Sequence, residues 1–193
     1  CQIDVHPDNR PGLIRDNPKT RITYVGDAAH GGRYKPPQYG KDIERLLVAL
    51  IAWHDDLVAA NIPAAIRAPL VHLYFEQIHP FWDGNGRVIE ATLLQAAGYR
   101  YAPFALARYY LTNIDTYFTL FNTCRKAAEK KQSAPNQAFV DFHLEGMRLT
   151  INNLQDRVNR LVAMLLYAST IRRALDDKQI NARQYTILSQ LLD

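Results

Sequence analysis

Residues 79–87 read His-Pro-Phe-Trp-Asp-Gly-Asn-Gly-Arg. A histidine, a carboxylate, an amide, two glycines and an arginine fall together, and phosphate chemistry uses every one of these types. Histidine as a residue type can take a proton from a hydroxyl, which makes His79 a candidate base. Asp83 offers the hard oxygen that Mg²⁺ prefers, and Mg²⁺ is commonly held by one or two carboxylates plus substrate phosphates. Gly84 and Gly86 let the backbone turn tightly and approach a ligand closely. With Asn85 between them they would form a nest of N–H groups around an anion, the Asn85 side chain adding a donor. Arg87 supplies a guanidinium for phosphate oxygens. Each residue also has an ordinary reading: a helix-end histidine, an N-cap aspartate, an Asn-Gly turn and a surface arginine. Phe81 reads as a core anchor for the loop, and Trp82 is assigned no role.

The elements that must position these residues follow from the flanks. Pro80 disfavours helical backbone at His79, so the preceding helix should end there. Pro63 opens that helix, with Leu70, Leu73, Tyr74 and Phe75 inward. A second helix is expected from about residue 85 to 97, stopped by Gly98. Its first free N–H groups and its dipole would face the phosphate. Upstream, residues 1–20 read as an extended lead-in. Residues 21–37 read as a hairpin, with Ile22, Tyr24 and Val25 in a strand and Gly31-Gly32 in the turn. Apolar spacing predicts a helix over 40–60. Thr112 or Asn113 caps another over 114–130. A long amphipathic helix spans 137–167, with Phe139, Phe142, Met147, Ile151, Leu154, Val158 and Leu161 buried. A short helix occupies 180–193.

Composition narrows the classes. The chain has 193 residues and 48% hydrophobic composition, enough for one domain with a core. No apolar run reaches the length of a membrane span, so no membrane is expected. Cys1-Gln2-Ile3-Asp4 carries no signal-peptide pattern, and the missing initial methionine reads as a fragment of a longer chain. Two cysteines, Cys1 and Cys124, make no disulfide framework, which fits a reducing cytoplasm. A formal net charge of +4 suits an acidic ligand such as a nucleotide and argues only weakly for nucleic acid. His6, His30, His54, His72 and His143 have no comparable context and read as ordinary.

The run His79, Phe81, Asp83, Gly84, Asn85, Gly86, Arg87 resembles the signature of the Fic (filamentation induced by cAMP) family, His-x-Phe-x-Asp/Glu-Gly-Asn-Gly-Arg-x-x-Arg. The resemblance extends over about residues 9–167 and implies a mainly α fold, a Fic-type helical bundle with a small β-hairpin flap. It implies a lead-in over 1–20, a Fic domain over 21–168, and C-terminal helices over 169–193. Residues 180–192 look like the opening of a winged helix-turn-helix without its recognition helix. The implied activity is transfer of AMP from ATP to a Ser, Thr or Tyr hydroxyl of a target protein, with Mg²⁺ as cofactor. His79 would be the general base, Asp83 the metal ligand, and Gly84, Asn85, Gly86 and Arg87 the nucleotide site. The flap would dock the target by strand pairing, with Tyr34 and Lys35 at its tip or exit strand. A homodimer is left open.

The final arginine of the signature is replaced by Glu90. On a helix, positions 83, 87 and 90 share roughly one face. Glu90 pairs with Arg87 as a brake, faces Mg²⁺, repels a triphosphate tail, or is an exposed or internally paired side chain. Arg100 or Arg108 could supply the missing cation. Three alternatives to AMP transfer therefore stand: a transferase using another nucleotide or phosphate donor, a nucleotide-binding module weakened by Glu90, and, least favoured, a DNA-binding regulator. Glu145-Gly146, the nearest match to the family's inhibitory motif, reads as structural.

Overall fold

A computed structural model describes residues 7–10, 12–82, 85, 89–100 and 102–192. Among these the chain is mainly helical, with one small antiparallel hairpin. It divides into two compact units, residues 1–148 and 149–193.

In the first unit, β1 (Val25–Asp27) pairs with β2 (Gly32–Tyr34) in the register Val25↔Tyr34, Gly26↔Arg33 and Asp27↔Gly32. Gly31 and Gly32 turn the chain at φ 90° and 106°, values that side chains with a Cβ rarely adopt. Helices α1 (Gly40–Ala59) and α2 (Ala64–Ile78) follow, and then α3 (Ile89–Ala96). Gly98, at φ 95°, stops α3 as its sequence predicts. The expected start of this helix near residue 85 falls largely outside the described residues.

Helix α4 (Ala102–Thr112) has no counterpart among the expected elements. Pro103 falls in its first turn, where proline is tolerated because no intrahelical donor is lost. Helix α5 (Ile114–Glu129) begins after Asn113, but neither predicted side chain caps it. Thr112 Oγ1 donates to Arg108 O and Asn113 Nδ2 to Tyr109 O, both bonds going back into α4.

Helix α2 is the common member of the core. Ile43 and Leu50 of α1 pack on Val71 and Ile78. Leu94 of α3, Leu106 of α4 and Met147 pack on Ala68. Tyr117 and Cys124 of α5 and Phe139 pack on Leu73. The lead-in has no helix or strand among its described residues and is stitched across the site. Arg15 N–H donates to Pro80 O at 2.7 Å, Asn17 N–H to Gln38 O at 3.0 Å, and Asp16 Oδ1 accepts from the first N–H of α1 at 2.8 Å.

Helix α6 (Gln137–Asp176) starts in the first unit and runs nine residues past its expected end, reaching into the second. Its predicted apolar face is only partly buried. Phe139 and Met147 lie in the first unit's core, whereas Ile151, Val158 and Leu161 in the second unit are exposed. The second unit also holds α7 (Ala182–Ser189) and a 3₁₀ turn (Gln190–Leu192). Asn181 and Gln184 form a reciprocal capping box at the start of α7. No helix among the described residues is long and apolar enough to cross a membrane.

Candidate functional site

Helix α2 ends at His79, which takes the left-handed conformation, φ 52° and ψ 59°. That conformation is uncommon for a residue with a Cβ and persists only where the surroundings determine it. Here they do. His79 N–H still donates to Phe75 O at 2.9 Å, and Pro80 forbids a further helical turn. His79 O accepts from the Arg15 guanidinium at 3.1 Å.

The imidazole has two polar neighbours. Glu76 Oε2 lies 3.8 Å from His79 Nδ1, one helical turn earlier. Asn85 Nδ2 lies 3.3 Å from each ring nitrogen. A histidine beside a carboxylate has the arrangement of a base with an orienting group. Asn85 is 4% exposed, and its amide is committed to Phe81, accepting from Phe81 N–H at 2.8 Å and donating to Phe81 O at 2.9 Å. It is therefore tied to Phe81 as well as meeting His79. Phe81 packs on Phe75, with ring centroids 6.0 Å apart, the anchoring role read from sequence. Asp83, Gly84, Gly86 and Arg87 lie outside the described residues. No cluster of three metal-binding side chains occurs among the described residues.

Arg15, Asn17 and Gln38 were not legible as site residues. The Arg15 side chain is fully buried, and its guanidinium also donates to Pro37 O and Asn17 Oδ1 at 2.6 Å each. Asn17 Nδ2 bonds to Gln38 Oε1 at 2.9 Å. The lead-in thus braces the backbone of His79 against the chain leaving the hairpin. Burial lowers the Arg15 pKa, yet guanidinium remains charged at neutral pH. Trp82, assigned nothing from sequence, lies under Arg21, whose Cζ is 4.5 Å from the ring centroid.

Of the two predicted flap residues, Tyr34 ends β2 and turns inward. Its hydroxyl donates to Glu76 O at 2.8 Å, tying the hairpin to the last turn of α2. Burial first, then the nearby Glu76 charge, pushes its pKa up, so it stays a donor. Lys35 follows the strand and is exposed. Helix α5 holds the hairpin turn through Asn122 Nδ2, which donates to His30 O at 2.9 Å and Gly32 O at 2.8 Å. A cavity of ≈ 260 Å³ opens between hairpin and α5, walled by Val25, Tyr34, Tyr117, Phe118 and Phe121, with Glu76 at its edge. Glu76 therefore touches both His79 and the cavity.

Glu90 points into the helical core. It is 5% exposed, and its carboxylate is bonded by His72 Nδ1, by the Tyr110 hydroxyl at 2.9 Å and by His143 Nδ1 at 2.8 Å. Of the four readings left open by the sequence, this is the geometry of internal pairing. His72 and His143, read as ordinary, are its partners. Arg100 and Arg108 are exposed. Glu145 pairs with Arg148 on its own helix, in keeping with a structural role.

Residues 2–97 match the family model described as Fic/DOC family. A solved structure of a Fic domain containing signaling protein from Bacteroides thetaiotaomicron VPI-5482 is similar in fold, with a TM-score of 0.51 and 19% sequence identity. The match covers 76% of this chain and 56% of that one, so this chain spans little more than half the length of that protein.

Proposed function

Residues 2–97 make this chain a member of the Fic/DOC family, and from that premise we propose that it transfers AMP from ATP to a hydroxyl of a target protein. The family transfers nucleotide- or phosphate-containing groups onto proteins. The observation that carries the reading is the setting of His79. It is a histidine fixed in left-handed backbone at a helix end, with a carboxylate beside its ring and an aromatic-walled cavity next to that carboxylate.

His79 takes the proton of the target hydroxyl as its oxygen attacks the α-phosphorus. A P–O bond forms to the target, the α–β P–O bond breaks, and pyrophosphate leaves. Glu76, one helical turn earlier, orients the ring. Arg15, Pro80 and Asn85 keep the base where it must stand, and such positioning is a large share of this type of catalysis. Gly84, Asn85, Gly86 and Arg87 would hold the phosphates in this reading. Mg²⁺ fits this donor set, because Asp83 offers one hard oxygen and the phosphates offer the rest. Bound there, it would neutralise phosphate charge. The cavity under the hairpin takes the base, its aromatic walls giving stacking faces. The hairpin's backbone and exposed Lys35 meet the target chain.

Glu90 favours one second reading. With that side chain committed to the core, position 90 contributes no cation to a terminal phosphate, which suits a related transferase using a different phosphate donor. Label transfer from ATP to lysate proteins decides between them, with His79→Ala as the blank. His79-dependent label from the α-phosphate alone supports AMP transfer. Label from the γ-phosphate alone means phosphoryl transfer, and no His79-dependent label from either rejects ATP as donor.

A further inference from the structure

Glu90 lies in the first turn of α3, immediately after the loop, yet three other helices reach its carboxylate: α2 through His72, α4 through Tyr110 and α6 through His143. A buried anion is tolerated only where donors fill its lone pairs. Burial alone would push Glu90 up, but the hydrogen bonds from His143 and His72 and their charges outweigh it and hold the group at about 2. Burial and then the Glu90 charge keep the Tyr110 phenol protonated, so it donates.

Two of these three donors converge on one further residue. His72 turns its other nitrogen, Nε2, to the Tyr117 hydroxyl at 2.9 Å. The ring of Tyr110 stacks on the ring of Tyr117, with centroids 5.0 Å apart and planes at 27°. Tyr117 is the member of this group that lines the cavity under the hairpin.

We propose that Glu90 is a positioning residue for the base-binding cavity: it fixes His72 and Tyr110, and these together fix the Tyr117 ring against which the donor's base lies. The inference rests on the reading of that cavity as the base site. A tyrosine ring is locked when its hydroxyl is anchored and its face is covered. Both constraints on Tyr117 pass through Glu90, which shares the Tyr110 hydroxyl with His143 Nδ1, 2.7 Å from it. An arginine at position 90 would not reproduce it, since guanidinium only donates and cannot accept the hydrogen bond that the Tyr110 hydroxyl gives Glu90. Glutamate at this position thus gives up a phosphate cation and supports the base site instead.

The test separates a cavity effect from a charge effect at the loop. ATP and inorganic tripolyphosphate are titrated calorimetrically, with Mg²⁺, against the unmodified protein, Glu90→Gln, Tyr117→Phe and the double variant, each checked for folding by thermal unfolding. Loss of one anchoring hydrogen bond is about fivefold in affinity. Each single variant is expected to weaken ATP by about that factor and leave tripolyphosphate unchanged, with the double variant no weaker than either single. If Glu90→Gln does not fold, Tyr117→Phe, which keeps the ring and removes only its anchor, carries the same comparison. Equal changes for both ligands, or losses that multiply in the double variant, overturn the proposal. Unmodified protein that binds tripolyphosphate but not ATP removes the base site and this inference with it. Protein that binds neither removes the reading of the loop as well.

Discussion

Replacing Glu90 by glutamine should cost stability in a way that pH exposes. The carboxylate stands at about 2 in the folded chain against an ordinary 4.5. At about 1.4 kcal/mol for each pH unit, that difference is about 3 kcal/mol of stability carried by the ionised form. The size agrees with the roughly 3–5 kcal/mol usually lost when one member of a buried pair is removed. The sign follows from the direction: a depressed carboxyl stabilises fully above its unfolded value of 4.5 and ceases to as pH falls through about 2. Urea unfolding followed by the fluorescence of Trp53 and Trp82 reports on the first unit. With a slope of about 2 kcal/mol per molar urea, the midpoint near pH 6 should fall by roughly 1.5 M in Glu90→Gln. Between pH 5 and 2 the unmodified protein should lose that advantage and the two curves should approach. Parallel curves over this range would show that Glu90 titrates alike in folded and unfolded chains, and the cluster would then contribute nothing through charge.

Arg15→Met should lower the rate of label transfer by about a hundredfold with little change in nucleotide affinity, since it releases His79 O and Pro37 O and removes from the loop only a contact with the Trp82 ring, 5.8 Å from the centroid. Arg15→Lys should fail to restore it, because one ammonium cannot span three acceptors as the fork does; comparison of kcat with KM decides. Tyr34→Phe should free the hairpin from α2 at a cost of about 1 kcal/mol, seen as roughly fivefold faster amide exchange over residues 25–34. His30 is raised from 6.5 by its hydrogen bonds to Asp27 and then Asp115. Its pairing is therefore complete below 6.5 and is lost as pH rises through the raised value, and Asp115→Asn should bring its titration, followed by NMR, back toward 6.5.

The legible parts of the molecule were those governed by neighbours in sequence. Pro63 and Pro80 bound α2, Gly98 stops α3, and the glycines at 31 and 32 turn the hairpin. Two helices departed from the expectation. No element was expected over 102–112, where α4 stands. No stop signal follows Tyr167, and the chain leaves α6 only near Lys178, which takes φ 59°. What stayed hidden was non-local. Arg15 sits in a lead-in with no periodicity to mark it, and its acceptors come from positions 17, 37 and 79. Helical spacing placed position 90 on the face shared with 83 and 87, but the partners of Glu90 stand at 72, 110 and 143, too far along the chain for any spacing rule.

His72 and Glu76, four residues apart, share one stripe of α2, and His79 caps the helix three residues further on, roughly 10 Å along from His72. At the buried end His72 joins Glu90 to Tyr117. In the middle Glu76 borders the cavity and approaches His79. At the open end the helix gives way to left-handed backbone and presents the imidazole. Base, orienting carboxylate and cavity support therefore move together if α2 moves. The three hydrophobic clusters that grip α2 set its position, and Arg15 sets only its last residue. Leu73, fully buried on this helix against Tyr117, separates the two kinds of control. Its replacement by alanine should cost about 2–5 kcal/mol and disturb cavity and base at once, whereas loss of Arg15 should leave the cavity as it was.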